Sequence, residues 1–161
     1  MLTYRITSPR YAKDLSGAGA RLFSGRWNHK GTAIVYTSES RALATAEYVA
    51  RVPSGMMPGP LGLLTIETKD GVSIEEIDIK ALPKNWRNKT SPLELANIGT
   101  KWVRENRSLI LRVPSAVVLG DFNILINPSH PEIGKVKVKS VEPYELDERL
   151  LRLPHNGPIK T

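Results

Sequence analysis

Four side chains combine types that could act together on one ligand: Arg5, Arg26, Tyr36 and Glu47. Guanidinium groups offer planar forks suited to phosphate. A tyrosine offers a ring face for stacking or a hydroxyl for hydrogen bonding. A carboxylate can stabilise a centre that becomes positive in a transition state. The set fits a ligand with a pyrophosphate, an aromatic ring and a sugar that turns cationic as its leaving group departs. By residue type alone, that is one of several ligands it could serve. Metal or paired-carboxylate chemistry would need more groups than these. Ser115 lacks Ser/His/Asp partners in sequence and a Gly-x-Ser-x-Gly elbow, which disfavours a serine hydrolase.

Each of these residues also has a plainer reading. Glu47 lies four residues after Leu43 and three before Ala50, at the edge of an apolar helical stripe. There it either points into a cleft or packs its stem and reaches water. Tyr36, near a strand end, is either a half-buried core residue or a platform for a ligand. Ser24-Gly25-Arg26-Trp27-Asn28-His29-Lys30-Gly31 is a glycine-bounded loop dense in polar groups. It is either a binding loop, since glycine allows close backbone approach, or a surface turn with a Trp anchor. Arg5, close to the N-terminus, reads by itself as a solvated cation.

The elements that must position them follow from periodicity and punctuation. Strand patterns cover Leu2–Ile6, 33–37, 61–68, 72–78, 108–113, 115–119, 123–127 and 135–141. Ser38 or Ser40 can cap a helix over about 40–51. Ser91-Pro92-Leu93-Glu94 has the form of a capping box opening a helix to about Asn106. Pro53 to Pro60 is a Pro/Gly-rich loop, Gly120-Asp121 a turn, and 154–161 a frayed tail. About eight short strands and two helices predict an α+β single domain, residues 1–153. Strands and helices do not alternate, and neither GxGxxG nor GxxxxGK[ST] occurs, so a Rossmann or P-loop site is disfavoured.

Composition sets the outer bounds. At 161 residues, 40% apolar and 24% charged, the chain is an ordinary globular domain. It has no apolar run long enough for a membrane span and no secretory h-region, so a cytoplasmic location is expected. With no cysteine, disulfides, thiolate catalysis and Cys-based metal sites drop out. His29, His130 and His155 lack ligand spacing, and no metal is expected. The net charge of +7 points to an anionic partner. Residues 1–50 hold seven Lys/Arg against three Asp/Glu, a local +4. Lys135, Lys137 and Lys139 alternate along one strand and give it a basic face. A nucleic-acid-binding module is the non-enzymatic alternative that this charge supports.

Several motifs together resemble the RES-domain family. They are Tyr4-Arg5-Ile6, Gly25-Arg26-Trp27-Asn28 with Gly31, Val35-Tyr36-Thr37 and Ala44 to Glu47. Further along come Leu82-Pro83-Lys84-Asn85-Trp86, Ile98-Gly99-Thr100-Lys101-Trp102, Leu111 to Val118, and Asn123 to Pro131. The likeness runs in order from about residue 2 to 150. Ser24 departs from it where a second glycine is expected. The resemblance implies a fold similar to ADP-ribosyltransferase toxins, with a mixed or antiparallel sheet and flanking helices. It implies a bacterial type II toxin that cleaves the nicotinamide–ribose bond of NAD+ as a glycohydrolase or phosphorylase. ADP-ribosylation of a protein is the alternative. NAD+ would be a substrate, with inorganic phosphate a possible co-substrate and no cofactor. The resemblance places Arg5 and Arg26 on the pyrophosphate and Tyr36 against nicotinamide or its ribose. Glu47 would face the ribosyl cation and Ser115 would position nicotinamide or ribose. The partner it implies is an Xre-type helix-turn-helix antitoxin that covers the active site. Nucleic acid would be reached only through that partner.

Overall fold

In this computed structural model, residues 1–53 and 56–151 are described. The β-branched and aromatic runs form seven strands: β1 (Leu2–Thr7), β2 (Val35–Ser38), β3 (Leu61–Thr68), β4 (Ile74–Glu76), β5 (Ile110–Pro114), β6 (Phe122–Ile126) and β7 (Val136–Tyr144). They make one sheet in the order β4-β5-β6-β2-β1-β3-β7. Neighbours are antiparallel except β4 and β5, which run parallel. Among the described residues, three α-helices accompany the sheet: α1 (Ala18–Leu22), α2 (Arg41–Val49) and α3 (Leu93–Glu105). The mixed-sheet α+β architecture is the one expected.

One sheet face carries Val35, Leu64, Ile66, Ile110, Ile124 and Ile126, packed into a core with Leu109 and Val136. On the opposite face, Leu111, Val113 and Leu125 meet Trp102 and Leu95 of α3, together with Trp27, Ile34 and Trp86. Beside that cluster, Ile6 and Leu63 pack on Ala44 of α2. Period-2 alternation thus assigns each strand residue to a face, and Tyr36, Ser38 and Asn123 fall on the helical one. β1 and β2 are bridged at one position, Tyr4 opposite Ser38, and then diverge. The sheet is therefore open beside Arg5.

Several elements differ from the sequence reading. The strand expected at 115–119 is a turn within the β5–β6 hairpin. There Ser115 Oγ accepts from the Val117 and Val118 amides at 3.1 and 3.0 Å, and this local bonding overrides the β-branched propensity. The Ser91 capping box does not form. Pro92 stays extended and becomes the N-cap, so the helix starts one residue late and Glu94 falls out of register. The strand expected at 72–78 shrinks to the three residues of β4, and the five-residue α1 in a Gly-rich stretch was not anticipated. α2 is shorter than 40–51, and its cap is Ser40, whose hydroxyl accepts from the Leu43 amide at 3.0 Å. The boundary at 153 and the tail at 154–161 lie outside the described residues.

Gly99 couples fold and site. It faces the main chain of Trp27, where an added Cβ would lie 1.9 Å from the Trp27 carbonyl oxygen. Gly99→Ala must therefore push α3 off the 24–31 loop. A loss of about 1–3 kcal/mol is expected, the usual cost of overpacking, read as a lower melting temperature. Gly19→Ala, where a Cβ would meet nothing within 4 Å, is the control and should not destabilise.

Candidate active site

A cleft of about 1460 Å³ opens on the helical face where β1 and β2 part. Arg5, Arg26, Tyr36 and Glu47 all line it, so the four residues singled out by type converge in space. They come from β1, the 24–31 loop, β2 and α2.

Glu47 is half-buried on α2 and is held from across the sheet. Its Oε1 accepts from Ser115 Oγ at 2.8 Å and from Asn123 Nδ2. Ser115 has one hydroxyl proton, and its acceptor side is taken by the Val117 and Val118 amides. The proton is thereby turned towards Glu47. Ser115 is 1% exposed and is not among the cleft-lining residues. The structure places it behind Glu47, as a group that orients the carboxylate, and not at the surface a ligand would meet. Among the described residues, Glu47 Oε2 has no hydrogen-bond partner.

The 24–31 loop is built around Asn28, which is fully buried. Its Nδ2 donates to the carbonyls of Ala20 and Phe23, at 2.7 and 3.1 Å, and its Oδ1 accepts from the Tyr36 hydroxyl at 2.7 Å. The Trp27 amide donates to that same hydroxyl at 3.2 Å. Gly25 is required by space: a Cβ there would lie 2.6 Å from Asn28 Oδ1 and 2.9 Å from the Tyr36 hydroxyl. With its hydroxyl both donating and accepting within the protein, Tyr36 offers a ligand its ring. Burial raises the Tyr36 pKa well above that of an ordinary phenol, which keeps it neutral.

The arginines differ in how they are held. Arg26 Nη1 donates to the Trp86 carbonyl and Nη2 to that of Asn88 at 2.9 Å, leaving three of its five donors. Desolvation lowers its pKa, and the nearby charge of Glu47 counters this. Arg5 is more deeply desolvated, which also lowers its pKa, with Asp14 raising and Arg51 lowering it further. Arg5 Nη1 reaches the Asp14 carbonyl at 3.4 Å, while the Asp14 carboxylate accepts from the Ser16 amide at 2.8 Å. Among the described residues, neither Arg5, Arg26 nor Arg51 makes an ion pair. Arg41, Arg107, Arg112 and Arg149 are all paired with carboxylates.

Three residues around the site had no individual role in the sequence reading. Arg51 lines the cleft, and its Nε donates to the Glu47 carbonyl at 3.0 Å. Its four-residue spacing from Glu47 was the available signal. Asn28 stood in a motif, but its burial depends on the folded loop. Asn123 also stood in a motif, and no local pattern ties it to a side chain 76 residues away. Among the described residues there is no group of three or more His, Cys, Asp or Glu that could hold a metal.

Comparison with known proteins places this geometry. The chain is 40% identical over 143 residues to the Prs ADP-ribosylating toxin of Sphingobium sp. (strain YBL2), covering 88% of this chain and 89% of that one. It is 36% identical over 153 residues to Toxin Res of Yersinia enterocolitica, covering 93% and 99% respectively. In fold it is similar to a chain of the M. tuberculosis MbcT–MbcA toxin–antitoxin complex, with a TM-score of 0.69 and 18% identity. That likeness covers 89% of this chain and 83% of the other. The RES domain family model matches residues 2–147, nearly the whole chain and every element that builds the cleft. The chain belongs to the RES domain family.

Proposed function

We propose that this chain is a toxin that cleaves the nicotinamide–ribose bond of NAD+. The observation that carries the reading is the clamped Glu47 carboxylate in a cleft with Arg5, Arg26 and Arg51, none of which is ion-paired among the described residues. The arginines suit a pyrophosphate, and the ring of Tyr36 suits a flat heterocycle or its ribose. As the bond from the ribose anomeric carbon to the nicotinamide nitrogen breaks, its electron pair leaves with neutral nicotinamide. The sugar becomes an oxocarbenium-like cation, which the carboxylate stabilises. Water then adds and loses a proton to give ADP-ribose; phosphate as acceptor gives the 1″-phosphate. Ser115 acts in this scheme through Glu47. The name of the Sphingobium relative favours a second reading, in which a protein group is the acceptor.

The same reading includes an antitoxin partner, as the M. tuberculosis neighbour was solved with one. Phe23 and Leu93, each 72% exposed, line the cleft together with exposed Met56 and Val117. Apolar side chains at that rim suit a covering protein, and the family resemblance makes the helix-turn-helix class the candidate. A nucleic-acid surface along β7 is less well supported. Hydrogen bonds from Lys137 and then Lys139 hold the Glu67 carboxyl down at about 2, so both lysines face a carboxylate that stays ionised. No helix among the described residues is long and apolar enough to cross a membrane.

Purified chain incubated with NAD+, with and without phosphate, should release nicotinamide and yield ADP-ribose or its 1″-phosphate by mass. Label transferred to a protein, with little free product, would favour the second reading. Glu47→Gln keeps an oxygen for both hydrogen bonds but loses the charge, and should slow NAD+ loss about 10²–10³-fold without lowering the melting temperature. Wild-type turnover by that variant would overturn the mechanism.

Arg5→Ala should act mainly on binding, raising KM about tenfold or more through loss of charged hydrogen bonds. Tyr36→Phe keeps the ring but leaves Asn28 Oδ1 without its donor. It should cost about 1–3 kcal/mol of stability while retaining most activity, whereas Tyr36→Ala should lose both. Thermal melts and steady-state kinetics on the same preparations check the pair.

A further inference from the structure

We infer that Asn123 is a positioning residue for Glu47, with Ser38 steadying the far end of its amide. The inference rests on reading the cleft as a site where Glu47 faces a developing cation. Asn123 lies on β6 directly opposite Ser38 on β2, at the position where β2 also bridges to Tyr4 of β1. Three strands meet there, next to the opening of the sheet.

The two ends of an asparagine amide have nearly the same shape, so shape does not choose between them. Hydrogen bonding does. The Glu47 carboxylate only accepts, so Oε1 takes the Nδ2 end, and the Ser38 hydroxyl, able to donate or accept, donates to Asn123 Oδ1 at 2.7 Å. The flipped amide would set Oδ1 against a carboxylate oxygen, acceptor against acceptor. Ser115 reaches the same Oε1 from the turn of the same β5–β6 hairpin, and its amide donates to the Asp121 carbonyl at 2.9 Å. Two donors that cannot turn away therefore hold one carboxylate oxygen. The other, Oε2, is left for the cleft. Asn123 itself lines the cleft, while its amide is committed to protein partners on both ends.

Asn123→Asp tests this, because the shape is kept while the donor becomes a second carboxylate oxygen. Other charges around Glu47 are Arg26 from the 24–31 loop and Arg51 from the turn that follows α2; Tyr36 on β2 is neutral. None of them changes in the variant. Two adjacent carboxylates must share a proton at low pH, so protonation of the pair persists to higher pH than for Glu47 alone. The acid limb of the rate–pH profile for NAD+ loss should move to higher pH. At neutral pH kcat should fall about 10–100-fold, with KM near wild type. Ser38→Ala, which frees the amide to turn, should give a smaller fall in kcat without that shift.

A role confined to folding would instead leave kcat per folded molecule and the acid limb unchanged, whatever happened to the melting temperature, and that outcome would overturn the inference. A readout that needs no turnover is NMR titration of the Glu47 side-chain carboxyl carbon. Its midpoint should be higher in Asn123→Asp and Asn123→Leu than in wild type, and equal midpoints would sink the proposal. Failure of the NAD+ reading looks different: wild type itself leaves NAD+ intact, while the NMR midpoints still decide the positioning role.

Discussion

A carboxylate set beside a core has to be satisfied, and in this chain the partners come from a neighbouring hairpin on the same sheet face. Glu47 projects from α2, yet both of its hydrogen-bond donors belong to the β5–β6 hairpin and its turn. The bonds can form only if α2 lies over β1 and β2 while β6 pairs with β2. The register of β2 on β6, Ser38 opposite Asn123, meets that demand. Leu43 and Ala44 bury the inner face of α2, and Ser40 caps its start. The helix is thus anchored at its beginning, and its last turn carries Glu47 to the cleft. Holding Glu47 half-buried without those donors would leave its carboxylate partly desolvated with no hydrogen bond in exchange, which costs stability.

The same economy of partners explains the charge. A net +7 first suggests any polyanion, but eight of the basic side chains outside the cleft, among the described residues, are countered by carboxylates. Lys137 and Lys139 share Glu67, Arg112 bridges Glu39 and Glu76, and Arg41 binds Glu142. Exposed pairs of this sort add little stability, yet they remove the long-range pull of a bare basic face. Arg5, Arg26 and Arg51 have their charge unanswered at a half-enclosed surface, where the effective dielectric is lower than in water. Desolvation acts on Arg5 and Arg26 in the same direction, lowering both pKa values. An anion entering the cleft would relieve that strain. A small phosphorylated ligand fits this distribution better than a nucleic-acid backbone does.

What could be read from the sequence was whatever local periodicity encodes. The apolar stripe of α2, the eight residues of β3 and the one-sided α3 all follow from spacing, and so does the placement of Glu47 at a stripe edge. Local chemistry defeated that logic twice: hydrogen bonds to Ser115 turned a β-branched run into a turn, and the extended backbone of Pro92 shifted the start of α3 by one residue. The cleft depends on a different kind of information. Arg5 reads as a surface cation until β1 and β2 separate beyond Tyr4, and that separation is a property of the assembled sheet. The link between Asn123 and Glu47 spans 76 residues, so no window could contain it. The convergence of Arg5, Arg26, Tyr36 and Glu47 was inferred from types and resemblance, and the fold supplies its geometry.

The hydrogen bonds divide the site into parts that hold and parts that remain open. Asn28 and the Tyr36 hydroxyl hold each other and the Trp27 loop. Ser38, Asn123 and Ser115 hold one oxygen of Glu47. Those groups are tied into the protein, and their rigidity fixes the groups that face the cleft. Open to the cleft are the ring of Tyr36, the second oxygen of Glu47 and the unused donors of Arg26 and Arg5. Flat apolar surface, one negative charge and several guanidinium donors then select among ligands jointly. A phosphate alone would bind without using the ring, and a flat neutral molecule would not engage the arginines. A ligand that joins phosphates to a ring through a sugar, as the proposed reaction requires, would use all three. Its sugar, lying between the two ends, would sit next to Glu47.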